Sequence, residues 1–266
     1  MLTLPFSHPP MSSKRVILKF GSGILTRADR AETDEEQVCK LVQAIAELKR
    51  NGHEVVVVSS GAVASGLKAM GFKERPQDMV TLQACASVGQ TMLMHTYQSY
   101  LRGHGLNVGQ LLLTHADLES EDRAEKVKAT LLRLLECDIV IPIINENDSV
   151  ATEELRFGDN DKLSARVALL WGADILILLT SVPGLMDLKD GGSVNIVPVV
   201  QNVDAVLHMA EEEKGAFSVG GMNSKLRAVK DAVQGGISCI IASGRHPEQL
   251  ADLVEGGGTG TRFPAA

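Results

Sequence analysis

Aromatic residues are scarce in this sequence, and an excess of positive charge is absent. Phe, Tyr and Trp make up 3% of the 266 residues, which leaves few side chains on which nucleic-acid bases could stack. The formal net charge is −7, and an acidic chain repels a phosphate backbone. No apolar run approaches the roughly 18 residues that a membrane helix requires. We therefore expect neither a nucleic acid nor a membrane as a partner.

Metal-binding and disulfide motifs are also missing. The four cysteines form no CxxC pair and the seven histidines form no HExxH motif, so we expect no metal site made by the protein alone. Each cysteine lies within or beside an apolar pattern, which predicts reduced thiols near a core. Residues 1–13 contain three prolines and no basic residue, so we predict a flexible arm rather than a targeting peptide, in a cytoplasmic protein.

Short apolar runs alternate with helical patterns along the rest of the chain. Val55–Val58, Ile139–Ile144 and Ile175–Leu179 are typical of strands covered on both faces. The spacing of Thr33 and Glu36 predicts a capping box that opens a helix, and residues 181–192 are predicted to form a loop. The alternation predicts an α/β fold, a three-layer αβα sandwich with a mainly parallel central sheet. We expect residues 14–266 to form one domain with two functional lobes.

Polar and charged residues follow several of the predicted strands. They are Lys19 with Gly21-Ser22-Gly23, Ser59-Ser60-Gly61-Ala62, Asn145-Glu146-Asn147-Asp148, and Thr180-Ser181, and Gly220–Lys225 adds a glycine-rich helix start. Ligands of open α/β sheets collect at the carboxyl ends of the strands, so these residues should lie close together. Lysines, hydroxyls, acids and glycines that expose backbone N–H groups suit phosphate chemistry.

Three residues are candidates for a phosphoryl-transfer centre. Lys19 at a strand end can reach a transferring phosphoryl group, and Lys225 adds its charge to the positive end of a helix dipole. Asp161 is the carboxylate that could hold both lysines in place. Each residue alone has an ordinary structural explanation, as a solvated lysine, a turn or a cap, and only their joint placement favours function.

Two common nucleotide motifs are absent. The sequence has no GxxxxGK(S/T), which excludes a P-loop, and Thr26 stands where the third glycine of GxGxxG would be. A dinucleotide-dependent dehydrogenase is therefore weakly supported.

Eight segments stand out in order along the chain: LKFGSGIL (Leu18–Leu25), VVSSGAVASG (Val57–Gly66), AxxxVGQ (Ala84–Gln90), VGQLLLT (Val108–Thr114), INENDSVAT (Ile144–Thr152), FGDNDKLSA (Phe157–Ala165), LLT (Leu178–Thr180) and GGMNSK (Gly220–Lys225). Together they resemble the glutamate 5-kinases, which belong to the amino acid kinase fold family. INEND together with GDNDxLSA is the most specific pair. The resemblance implies phosphorylation of the side-chain carboxylate of L-glutamate by ATP, the first step of proline biosynthesis, with Mg²⁺ held mainly by the ATP phosphates.

The same resemblance assigns roles to individual residues. Catalytic roles fall on Lys19, Asp161 and Lys225, in a domain whose N-terminal lobe binds glutamate and whose C-terminal lobe binds ATP. The implied glutamate-binding residues are Ser60, Gly61, Ala62, Asn145, Asp148 and Asn160. The implied ATP-binding residues are Lys19, Gly21, Ser22, Thr180, Ser181, Val219, Gly220, Gly221, Met222, Asn223, Ser224 and Lys225. A homodimer or homotetramer is also implied.

Charge explains how such a substrate could be recognised. Free glutamate carries an ammonium group, which Asp148 can pair with. Its side-chain carboxylate is already ionised at pH 7, so attack on a phosphoryl group needs no general base.

The sequence departs from the family pattern on the nucleotide side, at Ser181, Pro183, Met186 and Val219. These departures put contacts to adenine in question. The C-terminal PUA domain of many relatives is not expected in a chain that ends at Ala266.

Two alternatives to this prediction stay open. One is a kinase of the same fold for another acid such as acetylglutamate, which lacks the charged amine that Asp148 would pair with. The other is a non-catalytic sensing module, which predicts loss of Lys19, Asp161 or Lys225, whereas all three are present.

Overall fold

The structure is a computed structural model that describes residues 13–26, 34–150, 160–188, 194–207 and 221–266. The predicted flexible arm lies outside these ranges except for Ser13, whose hydroxyl donates a hydrogen bond to the carbonyl of Gly52. Among the described helices, none is both long and apolar enough to cross a bilayer.

A seven-stranded sheet forms the centre of the molecule. The described strands are β1 (Arg15–Phe20), β2 (Glu54–Val58), β3 (Asn107–Leu113), β4 (Val140–Glu146), β5 (Ile175–Thr180), β6 (Met186–Leu188), β7 (Val194–Ile196), β8 (Ser238–Ser243) and β9 (Thr261–Phe263). The sheet has the order β3-β4-β2-β1-β5-β8-β9, and all neighbours are parallel except β8 and β9. β6 and β7 form a separate antiparallel pair. The carboxyl ends of β1, β2, β4 and β5 therefore lie side by side at one edge.

Helices cover both faces of this sheet. They are α1 (Ser22–Leu25), α2 (Glu35–Arg50), α3 (Ala62–Ala69), α4 (Met79–Arg102), α5 (His115–Glu119), α6 (Glu121–Leu135), α7 (Asn160–Trp171), α8 (Asp204–Leu207), α9 (Met222–Gln234) and α10 (Leu250–Glu255), the last preceded by a 3₁₀ turn at Pro247–Gln249. One apolar core packs the sheet against α6, α7 and α9, and the other packs it against α2, α4 and α10. The predicted three-layer αβα sandwich with a mainly parallel sheet is confirmed.

Two glycines allow α3 and α4 to touch backbone to backbone. A Cβ atom on Gly89 would lie 1.8 Å from the carbonyl oxygen of Ala62, and one on Gly66 would lie 1.8 Å from that of Cys85. No side chain larger than hydrogen fits at either contact. The contact holds the middle of α4 against the first turn of α3, beside the end of β2.

Several local predictions were wrong. The N-cap of α2 is Asp34, whose side chain accepts from the Gln37 N–H, so the helix does not open with the predicted capping box. The predicted loop over 181–192 contains β6, and Gly21-Ser22-Gly23 leads into the one-turn helix α1 rather than a simple loop. Cys137 is exposed rather than near the core.

Candidate active site

Two buried lysines share one buried carboxylate at the edge of the sheet. The Nζ of Lys19 lies 2.5 Å from Oδ1 of Asp161, and the Nζ of Lys225 lies 3.2 Å from Oδ2. The three residues are 5%, 2% and 8% exposed for Lys19, Asp161 and Lys225. Ion pairs this deeply buried are uncommon, because each charge must leave water. Their burial therefore indicates a functional role rather than that of ordinary surface charges.

The fold brings these three side chains together from distant parts of the sequence. Side chains alternate across β1, so Lys19 points with Ile17 towards the face covered by α7 and α9. Asp161 lies in the first turn of α7, where a carboxylate is stabilised by the helix dipole. Lys225 lies in the first turn of α9. Both helix starts meet the end of β1 on the same side of the sheet.

The charge state of Asp161 follows from its neighbours. Burial alone would raise the pKa of this carboxyl, but the two ammonium groups beside it lower the pKa below its ordinary value. Asp161 is therefore ionised at neutral pH. With both lysines protonated the cluster has one net positive charge, which can attract an anion.

This cluster forms part of the wall of a cavity of about 350 Å³. The wall also contains most of the residues predicted to bind ligands: Gly21, Ser22, Ser60, Gly61, Ala62, Asn145, Asp148, Asn160, Thr180 and Ser181. The three predicted catalytic residues, the predicted glutamate-binding residues and half of the predicted ATP-binding residues thus border one space. Gly61 adopts a left-handed conformation, with φ of 96°, at the turn from β2 into α3.

The part of the cavity that contains Asp148 has a different electrostatic character. Asp148 is half-buried, and this burial raises its pKa to about 6, against a smaller opposing effect of the Arg75 guanidinium. Arg75 belongs to the connection between α3 and α4 and also lines the cavity. An acid and a base thus lie near each other here, which suits a ligand that carries both charges.

Hydrogen-bonded amides connect the cavity wall to α4. The Nδ2 of Asn160 donates to Ser60 Oγ at 3.0 Å and to Asn145 Oδ1 at 3.1 Å. Asn145 Nδ2 in turn donates to Gln90 Oε1 at 2.8 Å. These side chains hold the ends of β2 and β4 and the start of α7 in a fixed relation.

Some predicted residues are not brought to the cavity wall. Gly221, Met222, Asn223 and Ser224 lie at the start of α9, but only Lys225 of that turn borders the cavity. The Asn223 side chain instead accepts a hydrogen bond from Arg227. Val219 and Gly220 lie outside the described residues. In the portion of the chain that the structure describes, no three His, Cys, Asp or Glu side chains are grouped so that they could hold a metal ion.

Comparison with known proteins gives the family. The model of the amino acid kinase family matches residues 14–243. Glutamate 5-kinase from Thermus thermophilus is 46% identical over 260 residues, which cover 97% of this chain and 69% of that protein. Glutamate 5-kinases from Photobacterium profundum and Methylococcus capsulatus are 40% and 44% identical, covering 96% and 94% of this chain and 70% and 67% of those proteins. The chain belongs to the glutamate 5-kinases of the amino acid kinase family.

A solved structure supports the fold independently. Carbamate kinase from Giardia lamblia bound to AMP-PNP superposes with a TM-score of 0.65 at 19% identity, covering 96% of this chain and 99% of that one. At this identity the likeness concerns the fold alone. The predicted amino acid kinase fold is therefore confirmed.

Within this glutamate 5-kinase family member, sequence reasoning missed three residues at or next to the cavity. Arg75 and Glu146 line it, and Gln90 contacts Asn145 behind its wall. Gln90 lies in the AxxxVGQ segment and Glu146 in the INENDSVAT segment, but the resemblance assigned neither residue a role. Arg75 lies between two helices and not at a strand end, so the rule that ligands bind at strand ends does not point to it.

Three of the four departures from the family pattern, Ser181, Pro183 and Met186, follow the end of β5. Ser181 is exposed at the rim of the cavity, and Met186 pairs with Ile196 in the β6–β7 hairpin. Val219 is not described. The prediction that these positions affect nucleotide contacts stays a prediction.

Proposed function

We propose that this chain transfers the γ-phosphoryl group of ATP to the side-chain carboxylate of L-glutamate, giving L-glutamyl 5-phosphate and ADP. The observation that carries the proposal is a single cavity bordered both by the Lys19–Asp161–Lys225 cluster and by Asp148. Membership of the glutamate 5-kinases supports a metabolic role for this reaction as the first step of proline biosynthesis.

The lysine cluster suits the phosphoryl-transfer step. A carboxylate oxygen of glutamate forms a bond to the γ-phosphorus while the bond to the oxygen that bridges the β- and γ-phosphates breaks, and no proton needs to be removed. The obstacle is the approach of two anions. Lys19 and Lys225 offset this repulsion from fixed positions, because Asp161 holds both ammonium groups without cancelling their charge.

Asp148 and Arg75 suit the recognition of an amino acid. Ionised Asp148 can pair with the α-ammonium of glutamate, and we assign Arg75 to its α-carboxylate. Ser60, Asn145 and Asn160 add neutral polar groups along the wall between these residues and the lysines. An acylated amine carries no charge for Asp148, which favours glutamate over acetylglutamate.

The ATP site extends from the same cavity towards the C-terminal half of the chain. Thr180 ends β5 and Ser181 follows it, and Gly21 and Ser22 follow β1, so their backbone groups can border the phosphates. We propose that Mg²⁺ enters with ATP, held mainly by phosphate oxygens, where it would supply positive charge to the phosphates. The roles of Val219–Ser224 and a cytoplasmic location stay predictions of the family resemblance.

Assembly into a homodimer or homotetramer is part of the proposal. Support comes from apolar side chains exposed along one face of α4, namely Val80, Val88 and Met92, which are 75%, 40% and 45% exposed. Light scattering after size-exclusion chromatography would measure the mass. A monomer at micromolar concentration would contradict this part alone.

Glutamate-dependent ADP release with Mg²⁺ and ATP tests the reaction. Acetylglutamate and aspartate serve as alternative acceptors, and hydroxylamine traps an acyl phosphate as a hydroxamate. The catalytic variant is Lys225→Met, and Lys230→Met on the same helix is its matched control, since Lys230 makes an ion pair with Asp204 near the surface.

We expect hydroxamate with glutamate only. Lys225→Met should lower kcat by at least about 100-fold, as removal of a transition-state donor does, whereas Lys230→Met should change it less than about twofold. Activity with another acid alone would overturn the substrate assignment. Equal activity of the two variants would overturn the role of the lysine cluster.

A further inference from the structure

Gln90 lies behind the wall of the substrate cavity and not in it. Its side chain is 9% exposed, and it lines a neighbouring cavity of about 330 Å³ that shares Glu146 and Asp148 with the first. We propose that Gln90 is a positioning residue for glutamate binding, which acts by fixing the amide orientations of Asn145 and Asn160. The proposal rests on the proposed function and names a residue to which that function assigns no role.

A backbone group and Gln90 together determine which way the Asn145 amide faces. The N–H of Glu146 donates to Asn145 Oδ1 at 2.9 Å, and a backbone N–H can only donate. This contact places the Asn145 oxygen, so its Nδ2 must point the other way, towards Gln90. Gln90 then presents Oε1 as the acceptor for that buried N–H group, at 2.8 Å.

The same orientation passes to Asn160. Because Asn145 Oδ1 is an acceptor, Asn160 must present its Nδ2 to it, at 3.1 Å, and this Nδ2 also reaches Ser60 Oγ. The remaining atom, Asn160 Oδ1, accepts no hydrogen bond from any residue that the structure describes. The NH₂ group of Asn160 is thus occupied by Ser60 and Asn145. Its oxygen, buried in the wall of the cavity, is the side-chain atom left to accept from the ammonium of glutamate.

Loss of the Gln90 oxygen would leave neither orientation of the Asn145 amide fully hydrogen-bonded, although the Glu146 N–H would still favour the present one. Asn145 Nδ2 would be a buried donor without a partner, and a 180° turn of the Asn145 amide would place its NH₂ against both the Glu146 N–H and Asn160 Nδ2. Asn145 would therefore be held less firmly, and Asn160 would lose its acceptor whenever the Asn145 amide turns. The lysine cluster contacts Asp161 through separate atoms and keeps its geometry.

Gln90→Met tests this, because it has nearly the same length and lacks a strong acceptor. Gln98→Met on the same helix is the matched control, since Gln98 also loses a hydrogen bond, from the Val108 N–H, but lies away from the cavity. Gln90→Glu retains an acceptor oxygen and serves as the conservative variant. Glutamate and ATP kinetics, glutamate binding by calorimetry and thermal unfolding are measured for each, and Gln90→Met is also combined with Asn160→Ala.

For Gln90→Met we expect KM and Kd for glutamate to rise about tenfold, as for one lost buried hydrogen bond, with kcat and the KM for ATP within about twofold. Gln90→Glu should stay within about threefold of the unmodified enzyme and Gln98→Met within about twofold. In the Asn160→Ala background, Gln90→Met should add less than about twofold to Kd, because residues that act as one unit are not additive.

The proposal would be overturned if Gln90→Met raised the Kd for glutamate equally in the unmodified and Asn160→Ala backgrounds. It would also be overturned if Gln90→Met lowered thermal stability without raising the KM for glutamate. If Gln90→Met does not fold, a rise in glutamate KM of more than about threefold in Gln90→Glu would overturn it, because the acceptor is present. No turnover of glutamate by the unmodified enzyme would instead refute the proposed function, and this inference with it.

Discussion

Lowering the pH from about 7.5 to about 5 should weaken glutamate binding about tenfold, because Asp148 becomes protonated and can no longer pair with the substrate ammonium. Burial raises the pKa of Asp148 to about 6 in the free enzyme. The bound ammonium favours the ionised form, so the pKa of Asp148 in the complex is lower than in the free enzyme. Affinity is therefore fully present above about pH 7 and is lost as the pH falls through 6.

The size of the effect follows from the pKa. With a free-enzyme pKa of about 6, roughly one Asp148 in eleven is ionised at pH 5, and each further pH unit costs about 1.4 kcal/mol of binding. The side-chain carboxyl of glutamate itself, with a pKa of about 4.3, contributes only about a 1.2-fold change over this range. The dependence thus belongs mainly to the enzyme.

Two measurements report this titration. The pH profile of kcat/KM for glutamate gives the pKa of groups in the free enzyme. Calorimetry at pH 6 in buffers of different ionisation enthalpy should show release of about half a proton per glutamate, because about half of the free Asp148 is protonated there. Asp148→Asn is the control, and its weaker binding should show no titration near pH 6.

A profile that stays flat down to pH 5 in the unmodified enzyme would refute the pairing of Asp148 with the ammonium. So would the same slope in the Asp148→Asn variant, because another group would then be titrating.

Three further predictions concern stability and specificity. Asp161→Asn leaves two buried ammonium groups without their carboxylate and should lower the free energy of unfolding in urea by about 3–5 kcal/mol. Asp231→Asn, at an exposed position, should change it little. Equal stability of the two variants would contradict the stabilising role of the buried carboxylate. Arg75→Leu should raise the KM for glutamate about tenfold but leave the KM for the α-carboxamide analogue of glutamate almost unchanged. An equal rise for both substrates would refute the assignment of Arg75 to the α-carboxylate. Gly89→Ala should lower the free energy of unfolding by about 1–3 kcal/mol in thermal unfolding, since its Cβ would lie 1.8 Å from a backbone oxygen. Gly103→Ala, whose Cβ would meet its nearest atom at 3.3 Å, is the control. If Gly89→Ala were as stable as this control, α4 would be free to move away from α3.

The layered fold could be predicted because its strands have a strong signal. β2 and β5 consist almost entirely of residues buried on both faces, and such runs belong to parallel sheets between helices. β6, β7 and β9 were missed because three residues are too few to show a period. Their place depends on partner strands that are distant in sequence.

The lysine cluster was predictable for a similar reason. Lys19 follows from the rule that ligands bind at strand ends, and the first turns of α7 and α9 carry Asp161 and Lys225 towards the same edge. Gln90 and Arg75 could not be found in this way. They come from α4 and from the connection before it, and their approach depends on the glycine contact between α3 and α4, which no periodicity reveals.

The start of α7 links the two halves of the candidate site. Asn160 and Asp161 are consecutive, yet Asn160 contacts Ser60 and Asn145 whereas Asp161 contacts the two lysines. A displacement of this turn would therefore disturb substrate binding and phosphoryl transfer together. Separate effects on KM and kcat are expected only from residues that act on one side of the turn, which is the role we propose for Gln90 through Asn145 and for Lys225 at the phosphoryl group. The kinetic pattern of each variant thus reports on which side of α7 its side chain acts.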